Sequence, residues 1–403
     1  MRLHQDCRRR HGAMVPLFAL LLVPLLGMLA FSIDAGYMVL VRTDLQNAAD
    51  AAALAGAEKM QGLWVQYYTP SQLNQSSILT NATTNTTGSP MATAELFASY
   101  NRAGNVNLTV LDQDVHFGFT NASGTYSTTY TGFPNTIEVT VRRDEVANGP
   151  LALFFARVLG MSTVDIQATA RATIYSGSVN TLQVIPGVDA HILPVALDYK
   201  VWDQFYATGK SPDGTIHSNA INGTPELHVY PCPGNAPGNF GLLDTGPPAN
   251  NVPAFRNWID DGQTPNDISY LLNSNLLPVS MQSPKSWKCG PGLKSTLQSD
   301  FNSQMWKPNL IPLFQAVSYS PYQAASGQGQ GATYAIVGFV GVDISNATGS
   351  GSNMDISIQP MAVVDPTAVI LNMLPAGTQG SPMTPSSSST TTITTFGSAK
   401  LTN

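Results

Sequence analysis

At 403 residues the chain is long enough for two or three domains, and its 43% hydrophobic content can fill a core, but only 11% of it is charged, under half of the roughly 25% usual for soluble domains. Arg2, Arg8, Arg9 and Arg10 lie at the start, whereas everything beyond residue 33 holds 15 Lys/Arg against 24 Asp/Glu. A body that acidic, with no basic stripe, excludes nucleic-acid binding, and three cysteines are too few for a disulfide-built fold.

Residues 1–11 form a basic segment, and residues 12–33 carry no formal charge. At 1.5 Å per residue, a helix of that length crosses the ~30 Å hydrocarbon core of a bilayer. Arg8, Arg9 and Arg10 directly before it predict a cytoplasmic N-terminus and an extracytoplasmic body. A cleaved signal peptide is the alternative, but the apolar run exceeds an h-region of about 7–15 residues and ends in no small-x-small site.

Residues 34–64 read as a juxtamembrane Ala-rich helix continuing the span. Met38, Val41, Leu45, Ala48, Ala52 and Ala55 recur at helical spacing on one face, with Arg42, Asp44, Gln46, Asn47 and Asp50 elsewhere. Small residues on the stripe permit close approach of another element. That element is either the chain's own ectodomain or a partner helix, a second copy of the chain included.

Residues 65–181 are predicted to form a small α+β module. It begins with a Ser/Thr/Asn-rich loop within 58–90. A short helix over 92–102 follows, with Leu96, Phe97 and Tyr100 as its apolar contacts. Alternation at Val106–Val110, Val115–Phe119, Ile137–Val141 and Val164–Ala172 marks strands. The apolar run 151–159, between Gly149-Pro150 and Gly160, reads as a helix. A polar joint at 176–181 leads into a mostly β second domain, 182–373, with a helix near 291–304 and strands over 309–317, 333–342 and 354–364. The tail, 374–403, lacks core-forming residues and is predicted to be disordered.

The stretch RRRHGAMVPLFALLLVPLLGMLAFSIDAGYMVLVRTDLQNAADAAALAGA resembles the N-terminal module of TadE/TadG-like proteins of the Flp (tight-adherence) pilus assembly system. A weaker likeness continues through Ile137–Arg143 and Leu153–Gly160, and then to longer, planctomycete-type members through Leu193–Asp198, Pro237–Gly241 and Tyr334–Phe339. The resemblance implies a single-pass inner-membrane protein with an extracytoplasmic body, working in pilus assembly or secretion beside other membrane proteins, without catalysis or cofactor. Two departures limit it. Cleavage after Gly12, as for a prepilin, would place Leu17 where a glutamate is needed. The metal motif Asp-x-Ser-x-Ser of members with a von Willebrand A domain is incomplete at Asp343-Ile344-Ser345-Asn346-Ala347 and at Asp355-Ile356-Ser357-Ile358-Gln359.

Beyond the resemblance, the body carries little chemistry. Cys232 and Cys289 would share an oxidising compartment, where they could form a disulfide or remain buried thiols. The six histidines lack the i, i+4 spacing of a helical zinc site, although His217 and His228 could meet in space. No nucleophile elbow, phosphate loop or dinucleotide fingerprint is present. The expectation is an α+β, non-enzymatic membrane protein whose partners are the bilayer and other pilus-assembly proteins. The alternative is a surface module recognising a glycan or adhesin through Trp202, Tyr206, Trp258, Trp287 and Trp306.

Overall fold

A computed structural model of the protein describes residues 14–230, 241–248, 251–291, 295–319, 332–349 and 354–377, with short pieces at 322–323, 326, 395–396 and 399–402. Helix α1, Met14–Tyr68, runs unbroken for 55 residues with Pro24 inside it. Its first five turns expose leucine and phenylalanine all round, as a span in contact with lipid does. From Val41 onward one face is buried. Pro70 cannot continue the ladder, and Ser71 takes a left-handed φ of 62°, so the helix stops there.

Two short helices fold back on α1. Helix α2, Gln75–Thr83, lies in the stretch expected to be loop. Its one-turn pair Ile78 and Ala82 is buried, and packing of that pair outweighs the poor helix propensity of its serines and threonines. Helix α3, Pro90–Ser99, starts at Ser89, whose side chain accepts from the Ala92 N–H at 3.1 Å. It buries Met91, Ala94 and Ala98, so the face expected inside, Leu96, Phe97 and Tyr100, is exposed.

The other face of α1 lies on an antiparallel sheet. Strands β1 (Val115–Thr120), β2 (Tyr126–Ser127), β3 (Thr136–Arg143) and β6 (Ile166–Thr173) supply four of its members. Ile137, Val139, Val141, Ala168, Ala170 and Ala172 turn toward the core, as period-2 alternation demands. Glu138 and Arg171 are cross-strand partners and ion-paired. Between β3 and β6 the expected helix over 151–159 is instead a small hairpin, β4 (Leu151–Ala152) with β5 (Thr163–Val164), carrying one 3-10 turn, Ala156–Leu159.

The second body is one large mixed sheet with helices on it. In chain order it comprises β7 (Tyr175–Leu182), β8 (Leu197–Asp198), α4 (Tyr199–Thr208), β9 (His217–Ser218), β10 (Pro225–Tyr230) and β11 (Gly241–Leu243). There follow α5 (Val252–Asp260), α6 (Pro265–Asn273), β12 (Lys285–Pro291), α7 (Gln298–Ser303) and β13 (Asn309–Gln315). The sheet ends with β14 (Thr333–Thr348), β15 (Asp355–Pro360), β16 (Ala368–Pro375) and β17 (Thr395–Phe396). Strand β14 is its spine and pairs with β12, β13 and β15. Its continuous apolar run is buried on both faces.

The polar joint expected at 176–181 is β7, a strand of this sheet. The tail expected to be disordered contributes strands: β17, Thr395–Phe396, pairs with β7, and β18, Lys400–Thr402, adds to the free edge of β6. The chain thus returns to the first module, completing its sheet in the order β18-β6-β3-β1-β2. Hydrogen bonds join the two bodies: Asn135 donates to the Ala376 carbonyl at 2.9 Å and Gln72 to Thr224 Oγ1 at 2.8 Å, both buried. The class is α+β with a long apolar N-terminal helix.

Candidate functional site

The first charge after the apolar span is Asp34, and it is buried, only 2% exposed. Its Oδ1 accepts the Phe154 N–H at 2.8 Å, and its Oδ2 accepts those of Phe155 at 3.0 Å and Ala156 at 2.7 Å. Successive N–H groups converging on a carboxylate form an anion-holding nest at the mouth of the 3-10 turn. The arrangement explains why 151–159 is not an α-helix: Asp34 takes the donors of its first turn, and Gly160, at φ 89°, caps a single 3-10 turn. One turn above Asp34, the Tyr37 ring packs on Phe154 with centroids 5.2 Å apart. The base of the hairpin is held by buried Arg143, which donates to the carbonyls of Ala103, Gly149 and Pro150 at 3.0, 2.9 and 3.3 Å. Neither role was legible from spacing. The available signal was chemical: a carboxylate bordering an uncharged span needs partners if it is not in water.

The helical stripe is occupied by the protein itself. Val41, Leu45, Ala48 and Ala52 have no exposed surface and belong to the core shared with β3, β6 and α3, while Met38 and Ala55 lie half-buried on its flanks. The alanines set the distance: at Gly56 an added Cβ would come within 2.7 Å of Ile137 Cδ1 and 3.2 Å of the Pro90 carbonyl. Of the two neighbours the stripe could take, the one present is the chain's own ectodomain, which covers Val41, Leu45, Ala48 and Ala52 completely.

Arg8, Arg9, Arg10 and Cys232 lie outside the described residues. Cys289 is a buried free thiol, donating to the Ala332 carbonyl at 3.3 Å, and burial pushes it up to about 11. His217 and His228 do meet, with ring centroids 4.6 Å apart. Each is engaged by its own carboxylate, Asp213 at 2.7 Å and Asp355 at 3.0 Å, and among the described residues no group of three His, Cys, Asp or Glu converges on a point. The aromatics proposed for surface recognition are core: Trp202, Tyr206, Trp258 and Trp287 are buried, and only Trp306 reaches solvent. A cleft of about 550 Å³ lies where the two bodies meet, lined by Tyr68, Phe119, Asn121, Ser127, Tyr130 and Gly377 among others, without a charged side chain. It has hydroxyl groups but no base to activate them.

Residues 12–59 match the family described as putative Flp pilus-assembly TadE/G-like, and residues 40–172 match the one described as putative Tad-like Flp pilus-assembly. Through these residues the chain is similar to the Tad family of Flp pilus-assembly proteins. The matched region coincides with a structural unit: it opens at the apolar span and closes at the end of β6, so it contains α1, Asp34, the hairpin and the four strands under the stripe. The second body lies beyond it. No curated protein and no solved structure matches the chain. The long apolar helix α1 gives the chain one span of the length and composition of a single-pass membrane anchor.

Proposed function

We propose that the chain is a non-enzymatic, TadG-like component of a bacterial Flp pilus assembly or secretion system. It is held in the inner membrane with its N-terminus cytoplasmic and its body extracytoplasmic. The observation that carries this reading is the continuity of α1, whose apolar half is the anchor and whose second half is the core helix of the first module. A helix shared in this way mounts the body rigidly at a fixed height above the bilayer, which suits a scaffold more than a tethered catalyst. Among the described residues no group of three His, Cys, Asp or Glu converges on a point, and the cleft beside Tyr68 and Gly377 carries no charged side chain, in keeping with a protein that works by contact. Contacts with other pilus-assembly membrane proteins are made by the outer surface of the body, because the stripe is used internally.

The test is genetic and structural. A strain lacking the chain is expected to lose surface filaments, and the full chain, but not residues 1–68 alone, is expected to restore them. Normal filament numbers in the deletion strain, counted by electron microscopy, would overturn the reading.

A further inference from the structure

The hairpin held by Asp34 has an unusual tip. Phe154, Phe155, Val158, Leu159 and Met161 are all exposed, Val158 at 88% and Leu159 at 78%. Scattered apolar residues on a surface are ordinary, but five large ones within eight residues form a patch that water disfavours. The patch borders the apolar span. Asp34 directly follows Ile33, and Ala30, one turn earlier on the same face of α1, is half-covered while Leu29, Phe31 and Ile33 stay exposed. The 3-10 turn packs on α1 here.

We propose that the tip of this hairpin inserts into the bilayer beside α1, at the face from which the helix emerges, as a second lipid contact locked to the anchor by Asp34. The proposal rests on reading α1 as a membrane span. Two further features suit a lipid surface. Six of the tip's backbone donors are satisfied internally: Asp34 takes those of residues 154–156, while the N–H groups of Val158, Gly160 and Met161 bond to carbonyls of Phe155, Arg157 and Ala156. Low-dielectric surroundings require that. The tip's one charged side chain is Arg157, exposed and long enough to reach lipid phosphates while its stem stays among acyl chains. Two contacts, a helix and a wedge, would fix the tilt and rotation of α1 and with them the direction in which the body faces.

The test uses the full chain reconstituted in vesicles of phosphatidylethanolamine and phosphatidylglycerol containing a lipid with a diazirine on its acyl chain. After irradiation, mass spectrometry maps the adducts. Adducts are expected on the span and on the peptides 144–157 and 158–171. The V158D/L159D variant, altered only at exposed positions, is expected to keep the span adducts and lose about tenfold or more of those on the hairpin. Labelling of the span without the hairpin, or hairpin labelling unchanged in the variant, would overturn the wedge. Labelling of neither would remove the anchor itself, and the wedge with it.

Discussion

Asp34 and Ala156 are 122 residues apart in sequence, yet the carboxylate of the first accepts the backbone N–H of the second at 2.7 Å. This bond, with those to Phe154 and Phe155, makes the exit of the membrane helix and the tip of the hairpin a single unit. Asp34→Ala leaves three donors without their acceptor and is expected to weaken the local structure by about 2 kcal/mol, or roughly 30-fold in exchange. Hydrogen–deuterium exchange should rise at residues 154–156 with little change in β3. Asp34→Asn keeps one acceptor oxygen and should fall between the two. Equal exchange in all three proteins would contradict the lock.

Packing of the stripe on its own sheet predicts that its residues matter to stability without any partner. Leu45→Ala should cost about 2–5 kcal/mol, whereas Asn47→Ala, on the exposed side of the same turn, should stay within about 0.5 kcal/mol. Gly56→Leu should cost about 1–3 kcal/mol or more by driving α1 from α3. Thermal unfolding of the purified full chain in detergent checks all three. A Leu45→Ala protein as stable as the parent would mean that the stripe is not core.

Buried Asp343 predicts a pH dependence. Its Oδ1 has no hydrogen-bond partner, and desolvation raises its carboxyl from 3.8 to about 7, with nearby Glu226 acting in the same direction. The folded state therefore holds a proton that the unfolded chain releases near 4, so this group's contribution to stability is fully present below about pH 4 and is lost as pH rises to about 7. Asp343→Asn removes the titration. At ~1.4 kcal/mol per unit the gain over the parent is at most about 4 kcal/mol above pH 7 and close to nothing at pH 4. Melting temperatures of the two proteins at pH 5 and pH 8 should diverge toward the higher pH; a constant offset would refute the assignment.

The returning C-terminus predicts an effect of truncation. Strand β18 covers the edge of β6, with Thr402 Oγ1 3.1 Å from Thr173 Oγ1. Ending the chain at residue 394 should cost about 1–3 kcal/mol in ladder hydrogen bonds and open an unpaired edge that promotes association. Unfolding midpoints and light scattering of the truncated protein read both effects; a shorter chain that is as stable and as monomeric would show that the edge needs no cover.

Several elements were legible because their signals are local. The charge-free run, the period of the stripe and the alternation of Ile137, Val139 and Val141 each follow from one side chain and its near neighbours, and the family likeness rested on the same residues. Where local signals compete, tertiary contacts decide. Residues 151–159 have the flanks of a helix, but their donors went to Asp34. The exposed face of α3 is more apolar than its buried one: at Ala94 the two helices come so close that a Cβ added at Gly56 would lie 3.3 Å from the Ala94 Cβ, which leaves no room for a larger side chain. The helices α4, α5 and α6 begin with cap residues visible in the sequence, Asp198, Asn251 and Thr264, yet their short apolar patterns were lost among prolines and glycines. The tail's low hydrophobicity forbids a core of its own, though not an added strand, which needs only backbone groups and an open edge.

By itself, then, the sequence determined that one helix is long and apolar enough to cross a bilayer and that a sparsely charged, net-acidic body follows it, because transfer of apolar residues from water depends on composition and length alone. The tertiary structure decided what faces the stripe, where the carboxylate after the span finds its partners and which end of the chain closes the first sheet. Those outcomes depend on contacts between residues more than a hundred positions apart, such as Asp34 with Phe154 and Thr173 with Thr402, and no periodicity in the chain records them.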